Sequence, residues 1–355
     1  SLTELAADCT VKRMYPDYIS AKKMRETYEG NVFSPMGCRS FLSPWKDETG
    51  CYKFDGRFNM GVVSINLPQI GILADGDEDK FFQILHKRLE LCKKALLLRV
   101  ELLKKITSDV SPVHWQYGAI ARLKPGESIE KFMYGGYATL SLGYIGIYEA
   151  TLLTKGCSHT APEGKRFAHR IMDEFNAHIK RWKEETNIGF ALYGTPAENL
   201  TNRFCKIDTA RFGVIKDVTD KGYYTNSYHV DVREPINVFD KFAFEAEFED
   251  KSTGGCISYA EIPNMAHNIP AVLTMIQYIY DRITYAEFNT KLDYCHECGF
   301  DGEIVLNGDN EWECPRCHNR DRSKLTVIRR TCGYLGENFW NEGRTQEIKN
   351  RVLHI

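Results

Sequence analysis

Gly61-Val62-Val63-Ser64-Ile65-Asn66-Leu67-Pro68 is a short β-branched run closed by Asn-Leu-Pro, a composition that predicts a buried strand. Beyond it, Glu78 to Ile106 carries apolar residues at Phe82, Leu85, Leu89, Cys92, Leu96 and Leu103, the spacing of one helix face. A strand followed by a long helix is the α/β unit, in which the helix returns the chain to start the next strand. The alternation continues with a helix around 129–154, another from about Pro162 to Glu185, and the apolar strand Ile188-Gly189-Phe190-Ala191-Leu192-Tyr193. Tyr228 to Val232 and Cys256 to Ile262 read as strands, Pro270 to Arg282 as a helix, and Thr284 to Phe288 as a last strand, so the class is α/β with five strand candidates.

Upstream of the first strand, residues 9–60 hold many turn formers and little periodicity, as in Pro16-Asp17, Ser34-Pro35 and Ser43-Pro44, which predicts a long functional loop. Cys38 lies near its tip, in Pro-Met-Gly-Cys-Arg-Ser, and so ranks first among the isolated thiols; Cys92, inside the helical pattern, reads as core. The chain has 355 residues, 43% of them hydrophobic, enough for one large domain or two ordinary ones. A formal charge of -2 gives no global attraction to nucleic acid or to an anionic membrane, so any anion site must be local. No apolar run approaches membrane-spanning length and the start, Ser1-Leu2-Thr3-Glu4-Leu5, lacks the plan of a signal peptide, which points to the cytoplasm.

Twelve cysteines in a chain without a secretion signal argue against a disulfide framework. Four of them, Cys295, Cys298, Cys314 and Cys317, form C-x2-C-x15-C-x2-C, the spacing of a zinc ribbon, in which paired thiolates grip one tetrahedral ion. Iron is the other ion that four thiolates hold. His296 and His318 beside them read as bystanders, and Arg316, Arg320, Arg322 and Lys324 leave open a zinc ribbon that binds nucleic acid. Shortly after comes Arg329-Arg330-Thr331-Cys332-Gly333-Tyr334-Leu335-Gly336. Gly333 has two readings: a turn, or a glycine whose unsubstituted Cα flattens and shares a radical between its amide and carbonyl.

Tyr193-Gly194-Thr195-Pro196-Ala197-Glu198 joins a strand to a helix start, with Thr195 as N-cap, Pro196 first and Glu198 third in a capping box. Free backbone N–H groups at such a start attract a phosphate; the other reading is simply a well-capped helix.

The tail through Asn338-Phe339-Trp340-Asn341, the cysteine quartet, Ser34-Pro35-Met36-Gly37-Cys38-Arg39-Ser40-Phe41-Leu42, the Gly61–Pro68 run and Tyr193–Glu198 together resemble the anaerobic (class III) ribonucleoside-triphosphate reductases of enterobacterial type, in that family's order. The resemblance covers nearly the whole chain and corresponds to the C-terminal half of a member. It implies half of a ten-stranded glycyl-radical-enzyme barrel around a long central loop, followed by a zinc ribbon and a radical segment. The expected divisions are 1–60, the thiyl-cysteine loop and its lead-in; 61–290, the half-barrel; 291–320, the zinc module; and 321–355, the radical segment.

By the same resemblance, Gly333 stores the glycyl radical and Cys38 becomes the thiyl that takes the 3′-hydrogen of a ribonucleotide. Asn59 falls where the family places a side chain on the ribose hydroxyls, with Met36 and Ser40 flanking the thiol. Gly194, Thr195, Pro196, Ala197 and Glu198 form the phosphate segment. The family also implies ribonucleoside triphosphates as substrates, formate as reductant, a homodimer, and an activating protein that uses S-adenosylmethionine and a 4Fe-4S cluster. The second active-site cysteine and the effector sites belong to an N-terminal half without which this half should not turn over. Another glycyl radical enzyme is the next reading, and the quartet speaks against it.

Overall fold

The computed structural model describes residues 1–37, 39–194, 197, 199–309, 311–330, 335–336 and 341–354. Six strands build its main sheet: β1 (Tyr18–Ile19), β2 (Phe58–Asn66), β3 (Ala138–Ile145), β4 (Gly189–Tyr193), β5 (Ser258–Glu261) and β6 (Tyr285–Asn289). β2, β3 and β4 are parallel neighbours in that order, as are β5 and β6, with β1 antiparallel on β6. A parallel bridge from Gly194 to Cys256, with Gly194 N donating to Gly255 O at 2.8 Å and Gly254 N to Leu192 O at 2.7 Å, joins β4 to the β5 side. Strands β2 to β6 therefore follow one another laterally in chain order.

Two strand assignments change while the total stays at five parallel strands. Ala138–Ile145, placed inside a helix by the sequence pattern, is the strand β3, buried along its whole length. It alternates large with small: Leu140, Leu142 and Tyr144 enter the helix-side core, while Thr139, Ser141 and Gly143 line the other face. A helix does begin just after it, at Ile147–Lys155. Tyr228–Val232 is not a strand, because its polar groups are satisfied elsewhere. Val230 N donates to Glu245 Oε1 at 3.1 Å, and the Tyr228 hydroxyl donates to Ile257 O at 2.7 Å.

The long helices Glu78–Leu103 and Pro162–Thr186 pack on the sheet through Phe81, Leu85, Leu89 and Leu96, and through Phe167, Ile171, Phe175 and Trp182. Cys92 is core as expected, and burial pushes its thiol up to about 11. A second core joins Ala7 and Val11 of the helix Leu2–Arg13 to Val272, Ile279 and Phe288. The first 27 residues are thus regular, helix, strand and helix, rather than the loop expected from residue 9. Ser20 starts the helix Ala21–Thr27 by accepting from Lys23 N.

Residues 28–37 and 39–57 do form the irregular segment. It lies on the small-residue face of β3: Ser43 N donates to Thr139 Oγ1 at 3.1 Å and Ser43 Oγ to Phe190 O at 2.7 Å. Beyond β6 a separate small core of Cys295, Ile304, Trp312, Cys314, Leu325 and Val327 carries the short strands Asp293–Cys295, Phe300–Gly302 and Leu325–Thr326. The helix Glu342–Asn350 follows. Among the described residues no helix is long and apolar enough to cross a membrane.

Candidate functional site

The loop tip is held by backbone contacts on either side of Cys38, which itself lies outside the described residues. Met36 N donates to Ser40 O at 2.7 Å and Arg39 N to Gly37 O at 2.8 Å, with Arg39 at φ +60. Ser40 bridges to Gly255 and Phe41 N donates to Gly254 O at 2.9 Å, so the loop is stitched to the sheet between β4 and β5. Gly255 is required there: its φ is +140, and a Cβ on it would sit 2.4 Å from Arg39 O.

Arg39 then turns inward onto Glu287 of β6, its Nε donating to Oε1 at 3.0 Å and its Nη2 bonding the same oxygen. The other oxygen of Glu287 meets Arg330 Nη1 at 2.6 Å, and Arg330 Nη2 donates to Met14 O at 2.6 Å. Side-chain exposures are 4% for Arg39, 1% for Arg330 and 0% for Glu287. One buried carboxylate thus joins the neighbour of Cys38 to the residue three positions before Gly333. Burial pushes the Glu287 carboxyl up to about 8, although Arg330 and Arg39 pull it down. A guanidinium lies against each of its oxygens. Asp17, bonded by the Tyr285 hydroxyl at 2.9 Å, approaches Arg330 to 3.6 Å and completes a cluster of two cations and two acids.

Gly333 also lies outside the described residues, but both of its flanks are fixed. Arg329–Arg330 pairs antiparallel with Leu335–Gly336. Successive residues of a strand face opposite ways, and the two arginines use this. Arg330 faces the main sheet, whereas Arg329 faces the cysteine module, donating to Asp293 Oδ2 at 2.6 Å and to Ile304 O at 3.0 Å. Arg351 Nη1 donates to Arg330 O at 3.0 Å, tying in the C-terminal helix.

Asn59 belongs to β2 rather than to a loop. Its Nδ2 donates to Ser141 Oγ at 2.7 Å and its Oδ1 accepts from Gly61 N at 2.6 Å, where the β2–β3 register shifts. Of the phosphate segment, Thr195, Pro196 and Glu198 lie outside the described residues. The next helix is Leu200–Phe212, with Asn199 as N-cap and no side-chain cap bond, so the capping box expected from Thr195 and Glu198 does not start it. Tertiary partners engage Ala197 instead: its N donates to Asn226 Oδ1 at 3.0 Å, and its O accepts from Arg344 Nη2 at 3.2 Å. Asn226 and Arg344, with Tyr259, Asn289, Arg330 and His354, line a cavity of about 50 Å³. Residues around 226 and 344 carried no motif in the sequence, and only the fold brings them here.

The four cysteine sulfurs lie within 4.8 Å of one another, with Cys295 to Cys317 at 3.6 Å and Cys298 to Cys314 at 3.7 Å. A tetrahedron of Zn–S bonds of about 2.3 Å has edges of about 3.8 Å, so the set fits zinc. Each C-x2-C turn ends on a left-handed residue, Gly299 at φ +68 and His318 at φ +58. Both histidines are turned to other partners: His318 Nδ1 is 2.7 Å from Glu313 Oε1 and His296 Nε2 is 3.0 Å from Thr326 Oγ1.

With this geometry in view, the model of the anaerobic ribonucleoside-triphosphate reductase family matches residues 1–354. The chain belongs to that family. It is 42% identical over 360 residues to the anaerobic ribonucleoside-triphosphate reductase of Escherichia coli (strain K12), covering 100% of this chain and 50% of the relative. It is 43% identical over 362 residues to that of Enterobacteria phage T4, covering 99% and 58%. The reductase-family chain therefore spans about half the length of these relatives. In fold it is similar to a solved anaerobic ribonucleotide reductase, with a TM-score of 0.70 at 20% identity over 99% of this chain and 52% of the other.

For this reductase-family chain the structure brings the flanks of Cys38 and of Gly333 onto one carboxylate and gathers the four cysteines into a cluster that could hold a metal ion. Glu287 is the member of the site that sequence reading missed. The available signal was a glutamate in the middle of the apolar run Tyr285-Ala286-Glu287-Phe288, where an acid is buried only when paired.

Proposed function

We propose that the chain is the radical-bearing half of an anaerobic ribonucleoside-triphosphate reductase. The observation that carries this reading, beside the family match, is Glu287 holding Arg39 and Arg330 together. Hydrogen-atom transfer requires contact, and this tether draws together the segments that bear Cys38 and Gly333. Cys38 gives its sulfur hydrogen to the Gly333 radical, and the resulting thiyl takes the 3′-hydrogen of the ribonucleotide. The 2′-hydroxyl takes up a proton from solvent and leaves as water, formate supplies two electrons and a second proton as it becomes carbon dioxide, and the 3′-hydrogen then returns from Cys38, which regenerates the thiyl. The S–H bond is close in strength to both C–H bonds, so the atom passes either way.

Zinc at Cys295, Cys298, Cys314 and Cys317 is structural on this reading, since four thiolates leave no open position for substrate. Its role passes through Arg329, which fixes the radical arm to the module. Five parallel strands in chain order with a loop across their small-residue face support the half-barrel, and the divisions at 60, 290 and 320 are part of this proposal. The cavity beside Arg330 and Arg344 suits a small anion such as formate rather than a nucleotide. The triphosphate would lie at Gly194–Glu198, and Met36, Ser40 and Asn59 would line the ribose. The N-terminal half, a second copy of the full-length chain and an S-adenosylmethionine-dependent iron–sulfur activator complete the assembly, in the cytoplasm.

The test is anaerobic activation of the chain together with its N-terminal half, followed by exposure to air. Oxygen should cleave the backbone at Gly333 and release a fragment shorter than the chain by its last two dozen or so residues. An activated, turning-over enzyme that air leaves whole would count against Gly333.

A further inference from the structure

Away from the cysteine module, the helices Glu78–Leu103 and Pro162–Thr186 are linked by a ladder of polar pairs: Glu78 with Arg170, His86 with Glu174, Glu90 with Arg181 and Lys93 with Glu185. At one rung the ladder carries more than an ion pair needs. Glu174 and His178 are four residues apart and so share a helix face, and His86 reaches them from the other helix. One ligand atom from each of the three lies within 4.8 Å of the other two. His86 Nε2 and Glu174 Oε2 are 3.0 Å apart, and the two imidazole rings are 5.3 Å apart between centroids.

We propose that His86, Glu174 and His178 form a second divalent-metal site, for a zinc-class transition ion, with water in the fourth position. Two imidazoles and a carboxylate are a nitrogen–oxygen set, chemically distinct from the thiolate site. Tetrahedral bonds of about 2.0–2.1 Å place neighbouring ligand atoms about 3.3 Å apart, close to the spacing of His86 and Glu174. One feature prepares the site. The ligands stand on two rigid helices already packed on one core, so little ordering is needed.

Arg181 is the competitor. Its Nη2 lies 2.8 Å from His178 Nδ1, but it also reaches Glu90 at 3.1 Å and Glu185 at 3.7 Å. Half exposed, it can keep those acids while releasing the imidazole. Glu90, 3.7 Å from His178 Nδ1, is then placed to take over the water's position. A bound ion would pin the two long helices together, and nothing in this site depends on the radical reaction.

The test is metal content and zinc titration of the chain with its cysteine module loaded, in wild type, His86→Ala, His178→Ala and Glu174→Gln, with circular dichroism to certify folding. Wild type should hold one more zinc per chain than any of the three variants. In the variants the zinc affinity should fall by more than the roughly 10- to 100-fold that outer partners alone contribute. Arg181→Gln should tighten it. Cobalt added to chain whose cysteine module alone holds zinc should give ligand-field bands without thiolate charge transfer. Equal zinc content in wild type and in folded variants, or binding weakened by Arg181→Gln, overturns the proposal.

Discussion

Glu287→Gln is the substitution from which most can be read. The carboxylate is fully buried and each of its oxygens meets a guanidinium, so the variant leaves Arg39 and Arg330 without their acid. Removing one partner of a buried pair costs about 3–5 kcal/mol. Gln keeps the volume and one acceptor for Arg39 Nε, which places it near the low end. For a chain of 355 residues, with an unfolding entropy of roughly 2.1 cal/mol/K per residue, the corresponding fall in Tm is roughly 4–7 °C. Arg39 and Arg330 share Glu287, so Arg39→Met and Arg330→Met should be non-additive by about 0.5–3 kcal/mol in a double-mutant cycle. In the activated, completed enzyme Glu287→Gln should still acquire the glycyl radical but turn over poorly. Additive arginine variants, or a Glu287→Gln enzyme with wild-type turnover, would refute the tether.

Cys298→Ser should lose zinc and loosen Asp293–Val327, read as metal content and as the near-ultraviolet signal of Trp312, while the main helices stay folded. Gly255→Ala must move a Cβ that would lie 2.4 Å from Arg39 O at a φ of +140; it should destabilise by about 1–3 kcal/mol and lower turnover through the loop tip. His354 accepts from Glu261 N at 2.9 Å, and burial lowers its imidazole to about 3. A depressed folded value means stability present above the unfolded value of about 6.5 and lost as pH falls from there toward 3, by at most about 1.4 kcal/mol per pH unit. His354→Gln should flatten that part of the stability profile in urea melts at pH 7 and pH 5.

The α/β class was legible because four of the strand runs and the long helices are apolar and strongly periodic. β3 was misread because three small residues on one face, Thr139, Ser141 and Gly143, look like helix or turn until the loop that covers them is known. Tyr228–Val232 has strand composition, yet Glu245 takes the hydrogen bond a neighbouring strand would have made. The four-cysteine cluster was readable from spacing alone, since its members lie within 23 residues and need no distant partner. Glu287 was not, because its meaning depends on two arginines, at 39 and 330, at opposite ends of the chain.

On the proposed function, Gly333 stores a radical that Cys38 uses, and electron paramagnetic resonance of the anaerobically activated chain, completed by its N-terminal half, tests this. A glycyl doublet is expected in wild type and in Cys38→Ala, with deoxyribonucleotide formed only by wild type, and neither doublet nor product in Gly333→Ala. A doublet that survives Gly333→Ala, or product formed by Cys38→Ala, would contradict it.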